Sequence, residues 1–115
     1  MSLILYHNLR CSKSRQALQL LEEKGVQPEI RKYLESPLNT EELTNLLTQL
    51  GKKPAELIRK GEALYKELAL DSTEVTEDQL IEAMVANPRL IERPILSNGQ
   101  QARIGRPPEQ VLELI

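Results

Sequence analysis

Cys11 and His7, the only cysteine and the only histidine of the chain, stand together in one polar loop. The loop follows a short apolar run typical of a buried strand and leads into an amphipathic helix pattern that begins near Ser12. Such a loop lies at the carboxyl end of a sheet, where the free N–H groups of the first helical turn favour an anion. The same groups would stabilise a thiolate at Cys11, which predicts a nucleophilic site.

An ionised thiol at neutral pH needs more than a helix terminus. A free cysteine has a pKa of about 8.5, and each unit of downward shift corresponds to about 1.4 kcal/mol. A helix terminus supplies roughly 0.3–1 kcal/mol, so nearby cations must add to it. Arg10, Lys13 and Arg15 stand close to Cys11 in the sequence. A lone cysteine is more often a small buried hydrophobe, but this polar and cationic position favours the nucleophile.

Length, charge and cysteine count narrow the class of protein. The 115 residues fit one domain, and a net charge of −2 gives no basic field for nucleic acid. One cysteine and one histidine build neither an internal disulfide nor a closed metal site, so redox chemistry would need an outside thiol. Without a signal sequence or a long apolar run, we expect a cytoplasmic protein that binds no membrane.

The first part of the chain predicts a β-α-β unit. Residues 3–6 form the first predicted strand, and residues 28–34 form the second. The helix between them ends at Gly25. Its apolar stripe has helical spacing and comprises Ser14, Ala17, Leu18 and Leu21. The best apolar members of the second strand are Ile30 and Tyr33.

Residues 39–88 predict a helical insertion, in which two capping boxes mark helix starts. The first pairs Asn39 with Glu42, and the second pairs Thr76 with Gln79.

A β-hairpin and a final helix follow the insertion. The dipeptide Asn98-Gly99 separates residues 94–96 from residues 102–104, and this is a strong hairpin signal. Residues 109–115 predict a helix with Val111, Leu112 and Ile115 on one face. The order of elements predicts an α/β fold with a four-stranded mixed sheet and a helical insertion.

The sequence resembles the glutaredoxin-dependent arsenate reductases of the ArsC family. The loop at residues 6–15 matches that family's element Y-H-N-P-x-C-x-x-S-R. Four further segments match in order, namely Tyr-Leu-Glu-Ser-Pro at 33–37, Leu-Ile-Arg-Lys at 57–60, Leu-Ile-Glu-Arg-Pro-Ile at 90–95 and Arg-Ile-Gly-Arg-Pro at 103–107. The resemblance implies a thioredoxin/glutaredoxin-like fold as a single ArsC-type domain over residues 1–115, with the helical insertion at about 39–88.

Two departures from the family pattern lie next to the cysteine. Leu9 stands where the family usually has proline, and Ser12-Lys13 stands where the best-known members have Gly-Thr. These residues place the chain nearer an uncharacterised branch of the family that carries Cys-Ser-Lys-Ser-Arg.

The resemblance also implies the residues of the site. Cys11 is the implied nucleophile, and three arginines are implied to hold the oxyanion, namely Arg59, Arg93 and Arg106. Residues around the cysteine are matched by His7, Ser14 and Arg15. A cis-proline is implied at Pro94.

Two of these side chains keep alternative roles. His7 would either lower the pKa of Cys11 while protonated or orient the loop while neutral. Ser14 would either donate to the thiolate or serve as a cap or core-facing residue.

The implied activity is reduction of arsenate or a similar oxyanion to arsenite, with no bound cofactor, glutathione as co-substrate and glutaredoxin as partner. One alternative is a glutathione-dependent thiol reductase without arsenate activity. Another is a Spx-like transcriptional interaction protein. Redox-switch members of that second group use two cysteines, and here Ser14 stands where the second would be.

Overall fold

The computed structural model describes residues 3–115 and divides them into two compact units. The first unit runs up to Ser36 and takes in Arg93–Ile115 as well, and the second comprises Pro37–Glu92. The first unit contains β1 (Ile4–Tyr6), α1 (Ser12–Glu23), β2 (Glu29–Arg31), β3 (Ile95–Ser97), β4 (Ala102–Ile104) and a 3₁₀ segment (Pro108–Leu114). The second contains α2 (Thr40–Leu50), α3 (Pro54–Leu57), α4 (Ala63–Glu67), α5 (Glu77–Ala86) and a short 3₁₀ turn (Pro88–Leu90).

The four strands form one mixed sheet in the order β2-β1-β3-β4. Strand β1 is parallel to β2 and antiparallel to β3, and β3 is antiparallel to β4. One face of this sheet carries a core cluster of fully buried side chains, namely Leu5, Ala17, Leu21, Leu96 and Val111. The predicted α/β class and four-stranded mixed sheet are confirmed.

Helix α1 starts at Ser12 and packs the predicted stripe against this core. Ser14, Ala17 and Leu21 are buried, and the half-buried Leu18 packs against the cluster. The helix ends before Gly25, whose φ of +76° is a left-handed conformation that glycine adopts at low cost. The helix therefore begins directly after the loop that holds the cysteine.

The prediction for the second strand is wrong in its extent. Strand β2 covers only Glu29–Arg31, and Ile30 within it is 38% exposed. Because β2 is an edge strand, it has a neighbouring strand on one side only. Tyr33, the other apolar residue assigned to this strand, is buried but lies in the turn after it.

The prediction for the final helix is also wrong. Residues Pro108–Leu114 form a 3₁₀ segment rather than an α-helix, and Ile115 is 49% exposed. The segment starts at a pair of prolines, which lack N–H donors, and it is only seven residues long. Val111 of the predicted face lies in the core cluster, and the partly buried Leu112 packs against that cluster.

Both predicted capping boxes are formed in the second unit. Asn39 and Glu42 bond reciprocally at the start of α2, and Thr76 and Gln79 do so at the start of α5.

None of the helices in residues 3–115 is long and apolar enough to cross a membrane.

The hairpin of β3 and β4 forms around the predicted turn. The side-chain oxygen of Asn98 accepts the N–H groups of Gln100 and Gln101, and this closes the loop. The Arg93–Pro94 peptide just before β3 is cis, as the resemblance implied, and so is Arg106–Pro107 after β4.

Candidate functional site

Cys11 is the N-cap residue of α1. Its backbone is extended, with φ −94° and ψ 121°, and its carbonyl accepts the N–H of Arg15 at 3.0 Å. The backbone N–H groups of Ser14 and Lys13, in the first turn of the helix, lower the pKa of the thiol. The thiol is therefore held where the partial positive charge of the helix terminus is largest.

Arg106 brings a full positive charge to the same sulfur. Its Nη2 lies 3.8 Å from Cys11 Sγ. Its Nε donates to the carbonyl oxygen of Arg93 at 2.8 Å. This bond fixes one side of the guanidinium, while Nη2 faces the thiol. Arg93 and Arg106 flank the β3–β4 hairpin. The hairpin therefore places positive charge next to the Cys11 loop, which is distant from it in the sequence.

The net effect on the thiol is a lowered pKa. Burial of Cys11 raises the pKa, because it disfavours the charged form. The N–H of Ser14, the charge of Arg93, the N–H of Lys13 and the charge of Arg106 together outweigh burial. The arrangement stabilises a nucleophilic thiolate.

His7 lies under the loop as a buried, neutral side chain. Its backbone N–H donates to the carbonyl oxygen of Arg31 at 2.9 Å, and the residue is only 1% exposed. Burial lowers the pKa of His7, and the charges of Lys32 and Arg15 lower it further. Of the two alternatives for His7, these facts favour orientation of the loop by a neutral ring.

Ser14 connects His7 to the loop backbone. Its Oγ lies 2.6 Å from His7 Nδ1 and accepts the N–H of Asn8 at 3.1 Å. Ser14 is completely buried, so these bonds replace those that water would supply. The hydroxyl joins the end of β1 to the first turn of α1, while the backbone N–H of the same residue lowers the pKa of the Cys11 thiol.

Arg15 braces the outer side of the loop. Its Nη1 donates to the carbonyl oxygen of Leu9 at 3.0 Å, and Leu9 itself is 54% exposed. The side-chain oxygen of Asn8 accepts the N–H of Arg10, which closes a further turn in the loop.

A cavity of about 370 Å³ opens beside this loop. Its lining includes the loop residues from His7 to Arg10, together with Lys32 and Glu35. The cavity offers room and charges of both signs next to the loop that bears the cysteine.

Arg59, the third arginine that the resemblance implied, lies in the second unit. Its Nη1 donates to Glu62 Oε2 at 3.1 Å and to the carbonyl oxygen of Arg89 at 3.2 Å. Its Nε also lies 4.0 Å from Glu92 Oε1. A role for Arg59 in anion binding stays a prediction.

The prediction that the charges of Arg10, Lys13 and Arg15 act on Cys11 is corrected by the structure, and the contribution of Lys32 to the site was missed. The charges that act on Cys11 are those of Arg93 and Arg106, whereas Arg15, its close neighbour in sequence, acts on His7. Lys32 also acts on His7, and only the parallel pairing of β1 with β2 brings it there. No local pattern signals either relationship, because each depends on how the strands pair.

Comparison with known proteins gives matches over nearly the whole chain. The family model described as the ArsC family matches residues 6–114. The uncharacterized protein YfgD of Escherichia coli strain K12 is 55% identical over 96% of this chain and 94% of its own length. An arsenate reductase of Haemophilus influenzae is 46% identical over 100% of both chains.

A solved structure, the arsenate reductase from Vibrio cholerae, has the same fold. It superposes with a TM-score of 0.96 at 51% identity, over 100% of this chain and 98% of that one. The fold is the thioredoxin/glutaredoxin-like α/β fold, a four-stranded mixed sheet with a helical insertion between β2 and β3.

Proposed function

The chain belongs to the ArsC family, and on that premise we propose that it is a cytoplasmic arsenate reductase. It reduces arsenate to arsenite through the thiolate of Cys11, with glutathione and glutaredoxin as outside thiols. The observation that carries the proposal is the position of Cys11 Sγ at the start of α1, with Arg106 Nη2 3.8 Å away. The N–H groups of the first helical turn and the charges of Arg93 and Arg106 lower the pKa of this thiol.

The same charges suit the binding of an oxyanion. An arsenate dianion must lose its hydration to reach the sulfur, and planar guanidinium groups replace that shell with paired donors. Arg106 Nη2 stands 3.8 Å from Sγ, so an oxyanion that approaches the thiolate meets this donor. The family motif assigns Arg59 to the anion together with Arg93 and Arg106, and we keep that assignment within the proposal.

The chemistry balances only with a second thiol from outside. The Cys11 thiolate attacks arsenic, a sulfur–arsenic bond forms, and one oxygen leaves as water after protonation. The glutathione thiolate then attacks the Cys11 sulfur of this adduct, and the sulfur–arsenic bond breaks with both electrons going to arsenic. Arsenite leaves, and a disulfide between Cys11 and glutathione forms. Glutaredoxin takes over the glutathione sulfur and frees Cys11. The chain has one cysteine and supplies one of the two thiols, which agrees with this scheme.

The other residues of the loop hold the nucleophile in place. Neutral His7 and the Ser14 hydroxyl tie the strand end to the helix start, and Arg15 braces the loop through the carbonyl of Leu9. These groups orient Cys11 so that little reorganisation is needed when the anion binds.

An activated thiolate would also attack a disulfide, so a glutathione-dependent thiol reductase is the second candidate. In that case a small thiol would bind in the 370 Å³ cavity beside the loop, where Lys32 and Arg10 offer positive charge and Glu35 a negative one. The Spx-like interaction protein is the non-enzymatic alternative and predicts no turnover with either substrate.

A coupled assay separates these functions. The protein is mixed with arsenate, glutathione and glutaredoxin, and oxidation of glutathione is followed through glutathione reductase and NADPH. The proposal predicts turnover that needs all three reactants and is lost in Cys11→Ser. Turnover with a small disulfide but not with arsenate would establish the thiol reductase. No turnover with either would overturn both enzymatic functions.

A further inference from the structure

Gly105 lies between the end of β4 and Arg106 and is buried. A methyl group built on its Cα would lie 2.8 Å from Pro94 Cγ and 3.1 Å from Val111 Cγ1. Carbon atoms attract best at about 3.5–4.0 Å, so the first distance is a clash. Pro94 Cγ belongs to a ring and cannot swing away as the end of a flexible side chain can.

The backbone of Gly105 does not itself require glycine. The described glycines with positive φ are Gly25, Gly51 and Gly99, and Gly105 is not among them. The requirement at Gly105 is therefore for space rather than for a special conformation.

Two hydrogen bonds join residues 105 and 106 to the carbonyl oxygens of residues 94 and 93, and a third contact reaches the thiol. The N–H of Gly105 donates to the carbonyl oxygen of Pro94 at 2.8 Å. The next residue, Arg106, donates from Nε to the carbonyl oxygen of Arg93 at 2.8 Å, and its Nη2 reaches Cys11 Sγ. Residues 105 and 106 thus hold the two consecutive carbonyl groups of residues 94 and 93. The close packing of Gly105 against Pro94 therefore sets the geometry of the bond between Arg106 and the Arg93 carbonyl.

We propose that Gly105 is a positioning residue for the Cys11 site: its missing side chain lets Pro94 pack against the backbone, and this holds the Arg93 carbonyl where it aims Arg106 at the sulfur. Any side chain at this position pushes Pro94 away and releases Arg106 from its anchor. The catalytic consequence rests on the proposed function, whereas the effect on Arg106 and on the thiol does not.

The test compares Gly105→Ala with two controls. Gly61→Ala is the matched glycine substitution, because nothing lies within 4 Å of a Cβ at that position and its φ is not positive. Val111→Ala leaves a cavity in the core beside Gly105 without pressing on Pro94. Each variant is examined for thermal unfolding, for the pH dependence of Cys11 alkylation by iodoacetamide, and for the Arg106 Nε–H signal in ¹H–¹⁵N spectra.

Gly105→Ala is expected to shift the Arg106 Nε–H signal and to move Cys11 alkylation to higher pH. A shift of half a unit lowers the thiolate fraction about threefold on the acidic side of the titration. Val111→Ala is expected to lower the unfolding temperature while alkylation and the Arg106 signal stay as in the wild type. Gly61→Ala is expected to leave all three measurements unchanged.

A double variant distinguishes positioning from simple overpacking and covers the case in which Gly105→Ala folds poorly. Adding Val111→Ala to Gly105→Ala removes the contact at 3.1 Å but keeps the clash with Pro94 at 2.8 Å. We expect the double variant to retain the altered alkylation profile. A wild-type profile and an unchanged Arg106 signal in either variant that carries Gly105→Ala would overturn the proposal.

Kinetics then connect the geometry to turnover. If the wild type reduces arsenate, Gly105→Ala should lower kcat/KM roughly tenfold, the effect expected for one misplaced charged donor. If the wild type does not reduce arsenate, the proposed function fails, while the alkylation and spectroscopic results still decide the role of Gly105.

Discussion

Arg106 Nη2 lies 3.8 Å from Cys11 Sγ, although 95 positions separate the two residues in the chain. The contact exists because β3 lies next to β1 and Arg106, the second residue after β4, reaches back to the loop that follows β1. A thiol at a helix start thereby gains a charge that its own neighbourhood does not supply. The reactivity of Cys11 therefore depends on this contact, while the His7–Ser14 pair holds the loop that bears the thiol.

Alkylation of Cys11 should follow a pKa below that of an ordinary thiol, because helical N–H groups and the charges of Arg93 and Arg106 outweigh burial. Arg106→Ala should raise this pKa, and Arg106→Lys should restore part of the shift through charge without the planar geometry. The rate of reaction with iodoacetamide against pH gives the value. Arg103→Ala is the control, since Arg103 pairs with Glu113 at 2.8 Å. Titration at or above the ordinary value would show that the thiolate is not stabilised.

The same shift gives the stability of the fold a pH dependence. The pKa of Cys11 is lower in the folded state, so the unfolded state binds more protons between the two pKa values. This contribution is complete above the unfolded pKa and is lost as the pH falls through the folded one. Unfolding by urea at several pH values should show the wild type gaining stability relative to Cys11→Ser as pH rises through this window. Parallel curves for the two proteins would contradict the lowered pKa.

His7 should titrate below the usual histidine range, since burial and the charges of Lys32 and Arg15 disfavour its protonated form and so lower its pKa. The contribution of His7 to stability is complete above the unfolded pKa and is lost as the pH falls toward the folded one. As the only histidine, its ring gives an unambiguous NMR signal. His7→Asn should remove this part of the acid sensitivity. If the His7 ring titrates at or above the usual value, the alternative in which protonated His7 lowers the pKa of Cys11 would be favoured instead.

Ser14→Ala should destabilise the protein without deactivating the thiol. The hydroxyl bonds to His7 Nδ1 at 2.6 Å and accepts the N–H of Asn8, so its loss leaves buried polar groups unsatisfied at a cost of about 1–3 kcal/mol. The N–H of residue 14 that lowers the pKa of Cys11 belongs to the backbone and remains. Urea unfolding and alkylation rates measure the two effects separately. A large rise in the pKa of Cys11 in Ser14→Ala would show that the hydroxyl serves the thiolate directly.

Local signals in the sequence predicted the elements that local bonds define. The capping pair of Asn39 and Glu42 and the turn at Asn98-Gly99 are both formed as predicted, because each depends on residues a few positions apart. The extent of β2 and the type of the last helix were wrong. An edge strand and a proline-led 3₁₀ segment depend on tertiary packing, and periodicity does not encode it.

In the site, too, local features were predictable from the sequence and long-range contacts were not. The position of Cys11 at the start of α1 follows from the pattern of strand, polar loop and helix. The approach of Arg106 does not follow from any spacing, and only the family resemblance pointed to it. The close contact of Gly105 with Pro94 left no sequence signal except the glycine itself.

The last prediction concerns the three arginines assigned to the oxyanion. Arg59→Ala, Arg93→Ala and Arg106→Ala should each weaken arsenate or sulfate binding by about 1.5–3 kcal/mol, the usual contribution of a charged donor. Calorimetric titration gives the affinity, and urea unfolding gives the stability of each variant. Arg103→Ala is the control, because its partly exposed ion pair with Glu113 is worth only about 0–1 kcal/mol and should not affect the anion. An arginine variant that is destabilised yet binds the anion with wild-type affinity per folded molecule has a structural role, and its assignment to the site would be withdrawn.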